Sequence, residues 1–223
     1  MKKQIIFTHE PTSDKILDEI KERIPSFIEG KRLNHTFFVE KEAIAIAKIV
    51  FMVYNISDRY LNDIKAAALL HDMTKQMDLK SQLALCDMHG IDKGENPSEA
   101  ILHGKTAAHM AKKLFGINDF VFSAIYNHTT GCPNMGIMDK IIFLADYTEE
   151  SRSHEHCVKT REFLHTFLDE KCENVLEIID RSALMSIDNT LLFLINSEKD
   201  IDVQTVKTRN FLLKCIDRKS TEA

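Results

Sequence analysis

Glycine and proline are scarce in this chain, at 7 and 4 of 223 residues, where average usage would give about 16 and about 11. That scarcity disfavours collagen-like chains, flexible linkers and many-turned β-sandwiches, and favours long helices with short connections. No C-x-x-C pair occurs among the five cysteines (Cys86, Cys132, Cys157, Cys172, Cys215), which argues against a zinc ribbon and a disulfide scaffold. Free thiols suit a reducing cytoplasm. An excess of positive charge is also missing. The net charge is −5, so no global basic field points to nucleic acid. The best membrane candidate, Ile44 to Val53, is interrupted by Lys48 and falls short of the roughly 18 apolar residues required. The run Ile5-Ile6-Phe7 is too short for a signal h-region. We expect a cytoplasmic protein without a membrane partner.

A hydrophobic share of 44% and a charged share of 28% are ordinary for a folded chain. A single domain of this size buries roughly 70% of its unfolded surface. Helical periodicity dominates and strand alternation is absent, so the expected class is all-α. The pattern predicts helices over about 12–29, 36–54, 58–71, 79–88, 97–114, 119–128 and 135–147, with two or three more after 157. Asn96-Pro97-Ser98-Glu99 reads as a cap, then Pro at the first helical position, then Glu three after the cap. Residues 1–30 are expected to form a helical extension and 31–215 one globular unit.

The informative residues are polar ones where the helical stripe wants apolar ones. His35 begins the stripe of Val39, Ile46 and Val50. His71 and Asp72 close the run Ala66-Ala67-Ala68-Leu69-Leu70. His103 shares a face with Ala100, Ala107 and Leu114, and His128 with Val121, Ala124 and Ile125. Asp146 ends Ile141-Ile142-Phe143-Leu144-Ala145. Burying an imidazole or carboxylate without a partner costs several kcal/mol, roughly, and a cation removes that cost. Four histidines and two aspartates are the inventory of a metal centre with nitrogen and oxygen ligands. Singly, each is also explained as a satisfied core histidine or a helix cap. The adjacent pair His71-Asp72 is harder to explain by packing.

His35, then His71-Asp72, then Asp146 resemble the signature of the HD-domain superfamily of metal-dependent phosphohydrolases. Further stretches narrow the resemblance: Arg32-Leu33-Asn34-His35, Leu70-His71-Asp72-Met73-Thr74-Lys75, Leu102-His103-Gly104, Asn127-His128-Thr129-Thr130-Gly131, and Ala145-Asp146-Tyr147-Thr148-Glu149-Glu150-Ser151-Arg152. They are similar to the YqeK-type symmetrical bis(5′-nucleosyl)-tetraphosphatases over about 32–152, with a weaker likeness at Thr208-Arg209-Asn210. Glu150 stands where that family usually has Pro, and the helix before residue 30 is an addition.

The resemblance implies a compact helical HD bundle with an extra N-terminal helix, cleaving diadenosine tetraphosphate (Ap4A) to two ADP by a metal-activated water. His35, His71, Asp72 and Asp146 would ligate one ion. His103 and His128 would hold a second, with Asp72 bridging. Iron is the family's suggestion, and Mn, Co or Zn also suit these ligands. One ion or two stays open. Asp72 and Lys75 would be catalytic. Arg32, Lys75, His103, His128, Thr129, Gly131, Tyr147 and Arg152 would bind nucleotide or phosphate, Arg bidentately and Lys as a point charge. An ADP-like nucleotide is the expected partner, and the family suggests a homodimer. Another HD nucleotidase, or a metal- and nucleotide-binding sensor with little turnover, is the competing reading.

Other polar residues carry no such reading. His109 lies six residues after His103, about 240° around the helix. His154-Glu155-His156-Cys157 reads as a solvated polar loop. His9, His89 and His165 belong to no constellation.

Overall fold

The computed structural model describes residues 5–172 and 174–221, the last five as backbone only. The described residues form ten α-helices and no strand: α1 (Asp14–Arg23), α2 (Gly30–Tyr54), α3 (Leu61–Leu70), α4 (Leu79–His89), α5 (Glu99–Phe115), α6 (Asp119–Asn127), α7 (Ile137–Thr148), α8 (Glu155–Phe167), α9 (Val175–Asn196) and α10 (Val203–Thr221). None is long and apolar enough to cross a membrane.

The core is built around α3, whose Ile64, Ala66, Ala68, Leu69 and Leu70 are wholly buried. The long α2 packs on α3 and α7, and α6 packs on α3, α5 and α7. Short alanine side chains let these axes approach closely. Ala43 and Ala47 of α2, Ala66 to Ala68 of α3 and Ala107, Ala108 and Ala111 of α5 lie in one cluster with larger residues such as Phe51 and Ile46. Gly104 shows the same demand. A Cβ there would stand 3.1 Å from the His128 ring and 3.3 Å from the Ile125 carbonyl, so α5 can lie directly against the end of α6.

Leu17, Ile20 and Ile24 of the N-terminal region join this core. Ahead of α1, buried Asp63 accepts hydrogen bonds from the Thr12 amide, the Thr12 hydroxyl and the Asn118 amide group, with His9 Nε2 at 2.7 Å. Phe7 sits edge-on to Phe51 and Phe120.

Some expected boundaries shift. The first helix stops at Arg23 and tightens to a 3-10 turn over Ile24–Ser26, because Pro25 lacks an N–H and clashes with the preceding turn. The second begins at Gly30 rather than 36. Its first turn is polar and escapes a search for apolar stripes. Helix α5 starts at Glu99 with Ser98 at the N-cap. Pro97 therefore precedes the helix, and the Glu99 carboxylate accepts instead from the Leu79 amide at the start of α4. His154 to Cys157 is not a loop: His154 stands at the N-cap position of α8 without a side-chain capping bond, and Cys157 is buried within the helix.

Candidate metal centre

Six side chains from helices and helix ends converge, Asp72 from the turn that follows α3. His35 lies in the second turn of α2, His103 in the second turn of α5, and Asp146 near the end of α7. His71 and His128 occupy the C-cap positions of α3 and α6. A helix end leaves backbone carbonyls without partners. The two cap histidines turn back onto them: His71 Nδ1 lies 2.7 Å from the Ala68 oxygen, and His128 Nδ1 lies 2.7 Å from the Ile125 oxygen. A carbonyl only accepts, so Nδ1 donates in both rings and Nε2 is the nitrogen left to face the centre.

Those Nε2 atoms face Asp72. His71 Nε2 is 3.3 Å and His35 Nε2 3.8 Å from Asp72 Oδ2, whereas His103 Nε2 is 3.2 Å and His128 Nε2 3.7 Å from Oδ1. One carboxylate thus turns one oxygen to each pair of imidazoles. Asp146 Oδ1 closes the first group, 2.9 Å from His35 Nε2 and 3.9 Å from His71 Nε2. The His71 ring is completely buried, and its Nε2 has no hydrogen-bond partner. A buried ring nitrogen without a partner, opposite a carboxylate oxygen, is an arrangement that a cation between them would stabilise. Three groups meet the spacing a metal ion needs: His35 with His71 and Asp72, His71 with His128 and Asp146, and Asp72 with His103 and His128. The donor set fits a divalent transition metal with nitrogen and oxygen ligands.

Charge is balanced around this cluster. Burial alone would raise the Asp72 carboxyl, but the imidazoles of His71, His103 and His128 outweigh it and hold Asp72 well below the usual carboxylate range. Asp146 is held low against burial by Arg152, His35 and His71. His35 is opposed by burial yet pushed up to about 9 by Asp146 and Glu149. Burial brings His103 down to about 4, helped by Lys75 and His128.

Of the expected phosphate ligands, three cations each touch one member of the centre. Arg32 donates to Asp72 Oδ2 at 2.6 Å, Arg152 to Asp146 Oδ1 at 2.5 Å, and the Lys75 ammonium lies 3.2 Å from His103 Nδ1. Burial lowers the pKa of Lys75. The Thr129 hydroxyl is 3.2 Å from both His103 and His128 Nε2. Two residues sit otherwise than expected. The Gly131 amide donates to the Asn127 oxygen at 2.8 Å, so it does not offer itself to a phosphate. Its φ of +63°, and the 2.6 Å at which a Cβ there would meet the Thr208 methyl group, explain the glycine. Tyr147 turns its hydroxyl toward Cys157 and Asn189, because the next position after Asp146 faces away from the centre.

Sequence reading missed the groups that hold this set in place. Glu149 Oε1 lies 3.0 Å from His35 Nδ1, and the Glu149 carboxylate also accepts from the Ser151 amide and hydroxyl. Its signal was its place one turn after Asp146. Thr74 donates to the His103 carbonyl. Arg161 donates to the carbonyls of Thr148, Glu149 and Arg152 at 2.5–2.7 Å, fixing the turn that carries Glu149 and Arg152. Nothing in spacing flags a residue nine positions after Arg152. His109 and His165 lie outside the cluster: His109 stacks edge-on against Phe122, and His165 pairs with Glu42.

Two polar grooves open beside the centre. One, of about 570 Å³, is lined by Glu29, Gly30, Lys31, Arg32, Lys75 and Gln76. The other, of about 430 Å³, runs past Lys31, Arg32, His35, Arg152, Ser153 and His154. A more apolar cavity of about 590 Å³, lined by Phe7, Phe120, Met135 and Leu176 among others, contains none of the candidate ligands.

An all-helical bundle around a His/Asp cluster able to hold a metal defines an HD-type domain, and the HD-domain model matches residues 32–151. The chain belongs to the HD-domain family. Within that class it is similar to the symmetrical bis(5′-nucleosyl)-tetraphosphatase of Staphylococcus aureus, with 32% identity over 86% of this chain and 89% of that one. The protein of the same name from Halalkalibacterium halodurans is 31% identical, over 82% of this chain and 89% of that one. A crystal structure from Clostridium acetobutylicum, described as a predicted HD superfamily hydrolase involved in NAD metabolism, superposes with a TM-score of 0.73 at 28% identity. It covers 88% of this chain and 96% of its own.

Proposed function

We propose that this HD-domain protein hydrolyses dinucleoside tetraphosphates such as Ap4A symmetrically, giving two nucleoside diphosphates. Its His35, His71, Asp72, His103, His128 and Asp146 side chains would hold one or two divalent ions, iron first among Fe, Mn, Co and Zn. The observation that carries the reading is one buried carboxylate, Asp72, facing two pairs of imidazoles, with a cation beside each end of the cluster, in a chain similar to proteins of that named activity.

A bound divalent ion polarises phosphoryl oxygens and lowers the pKa of a water. The chain's own residues do the rest. Asp72 offers one oxygen to each half of the site. Lys75, Arg32 and Arg152 neutralise the substrate's negative charge where it accumulates on phosphoryl oxygens. Thr129 gives a hydroxyl beside His103 and His128 for a further phosphate oxygen. The reaction forms one bond from water oxygen to a central phosphorus and breaks the bridging P–O bond. One product keeps the water oxygen. The other leaves with the bridging oxygen and its electron pair, and a proton is released.

The reading includes a cytoplasmic location, supported by the five unpaired thiols, and a homodimer, which sedimentation of the purified protein tests. Separating the products of Ap4A turnover tests the activity. ADP as sole product is expected, whereas AMP with ATP would contradict symmetrical cleavage. Hydrolysis of mononucleotides with Ap4A left intact would favour a nucleotidase.

A further inference from the structure

Resting on that reading, we propose that the two grooves seat the two nucleoside ends of a single substrate, with Arg32 at the midpoint. A cleavage that returns two identical products needs the reacting bond at the centre of the substrate. The two ends must therefore leave the centre in different directions. The grooves provide two such exits. Lys75 lines the first and lies against His103. Arg152 lines the second and binds Asp146. Arg32 lines both and binds Asp72, the carboxylate shared by the two imidazole pairs. The order Lys75, Arg32, Arg152 thus follows the cluster from its His103 end to its Asp146 end, as a row of cations for a linear polyanion. Lys31 also borders both grooves.

Volume agrees with this assignment. The grooves, about 570 and 430 Å³, each fall in the roughly 300–1,000 Å³ range of small-molecule sites. Beyond the cations their walls differ. Gln76 and Glu29 close the first, their contact being a hydrogen bond from the Glu29 amide to the Gln76 side chain. Glu149, Ser151, Ser153 and His154 complete the second. His154, its ring parallel to that of His156 with centroids 5.5 Å apart, adds an imidazole to that lining, a surface suited to stacking against a base.

The test is calorimetric binding to the protein as purified, with its native metal. One ligand is the β,β′-methylene analogue of Ap4A, which has two nucleoside ends and no cleavable central bond. The other is adenosine tetraphosphate, which has one end. Gln76→Trp should obstruct the first groove and Ser153→Trp the second. Each single variant is expected to bind the two-ended analogue about tenfold more weakly. Adenosine tetraphosphate can move to the open groove and should lose only about twofold, the statistical factor for one of two sites. The double variant should lose about tenfold for adenosine tetraphosphate and about 100-fold for the two-ended analogue. Gln76→Ala and Ser153→Ala should bind like wild type.

Unchanged binding of the two-ended analogue by either tryptophan variant would overturn the proposal. So would an equal loss of both ligands in a single variant, or the same loss in the alanine variants. Wild-type turnover separates this from the underlying reading. ADP production with unaltered binding in the variants sinks only the two-groove assignment, whereas no symmetrical cleavage by wild type sinks the activity itself.

Discussion

The two ends of the metal centre are held by different means. At one, His71 and His128 are fixed by backbone carbonyls of the helices they terminate. Those partners are set by helix geometry and do not titrate. At the other, His35 is fixed by the Glu149 carboxylate, and Asp146 by Arg152, in a turn that Arg161 holds through three carbonyls. The His71 side chain is fully buried, whereas that of Asp146 keeps 21% of its surface exposed. The first end is therefore a rigid consequence of the core, and the second is a charged network that a few side-chain changes can loosen. A histidine oriented by a carboxylate is also a stronger electron donor than one oriented by a carbonyl. The Glu149–His35 pair is thus expected to tune the ion as well as aim its ligand.

This contrast can be broken at chosen points. Lys75→Ala removes a cation beside the rigid end without removing a candidate ligand. It should cost roughly 100-fold in kcat/KM with metal content near wild type. Unchanged kinetics would take Lys75 out of the site. Glu149→Gln strikes the charged end alone and should weaken metal affinity by roughly 10- to 100-fold, read by chelator competition. If affinity is unaffected, the carboxylate does not orient His35.

Arg161→Ala removes three hydrogen bonds from a charged donor and should lower unfolding free energy by about 2 kcal/mol, measured by denaturant titration. The same change should raise the KM of Arg152-dependent substrates more than it alters metal content. A smaller effect is expected at His165, whose pairing with Glu42 at 2.9 Å adjoins the charged end through Thr148. That hydrogen bond raises the pKa of His165. Its stabilising contribution is therefore complete below the ordinary value of 6.5 and is lost as pH rises through the raised one. The side chain is 42% exposed, so His165→Asn should cost no more than about 0.5 kcal/mol. The cost should be visible as a melting-temperature difference at acidic pH that closes on the alkaline side.

The same contrast governs what could be read from the sequence. The rigid end was legible because its ligands interrupt or terminate apolar helical runs. His71-Asp72 follows five apolar residues, and His128 shares the stripe of Val121, Ala124 and Ile125. The charged end was only half legible. Asp146 closes an apolar run, but Glu149 and Arg161 act through a turn and through backbone carbonyls, which leave no periodic trace. Gly131 shows the opposite error. Its place beside a candidate ligand suggested a phosphate contact, while its actual constraint is a positive φ against Thr208, a residue distant in sequence. The start of α2 was missed because the turn that faces the grooves is polar. His154 to Cys157 looked like a loop because the exposed face of α8 begins there.

Asp72 is expected to join both halves of the cluster around a bound metal. Elemental analysis of purified wild type and Asp72→Ala, prepared identically and checked for retained helix content by circular dichroism, tests it most directly. Roughly one to two equivalents of a divalent transition metal are expected in wild type and almost none in the folded variant. Equal metal content in the two folded proteins would contradict it.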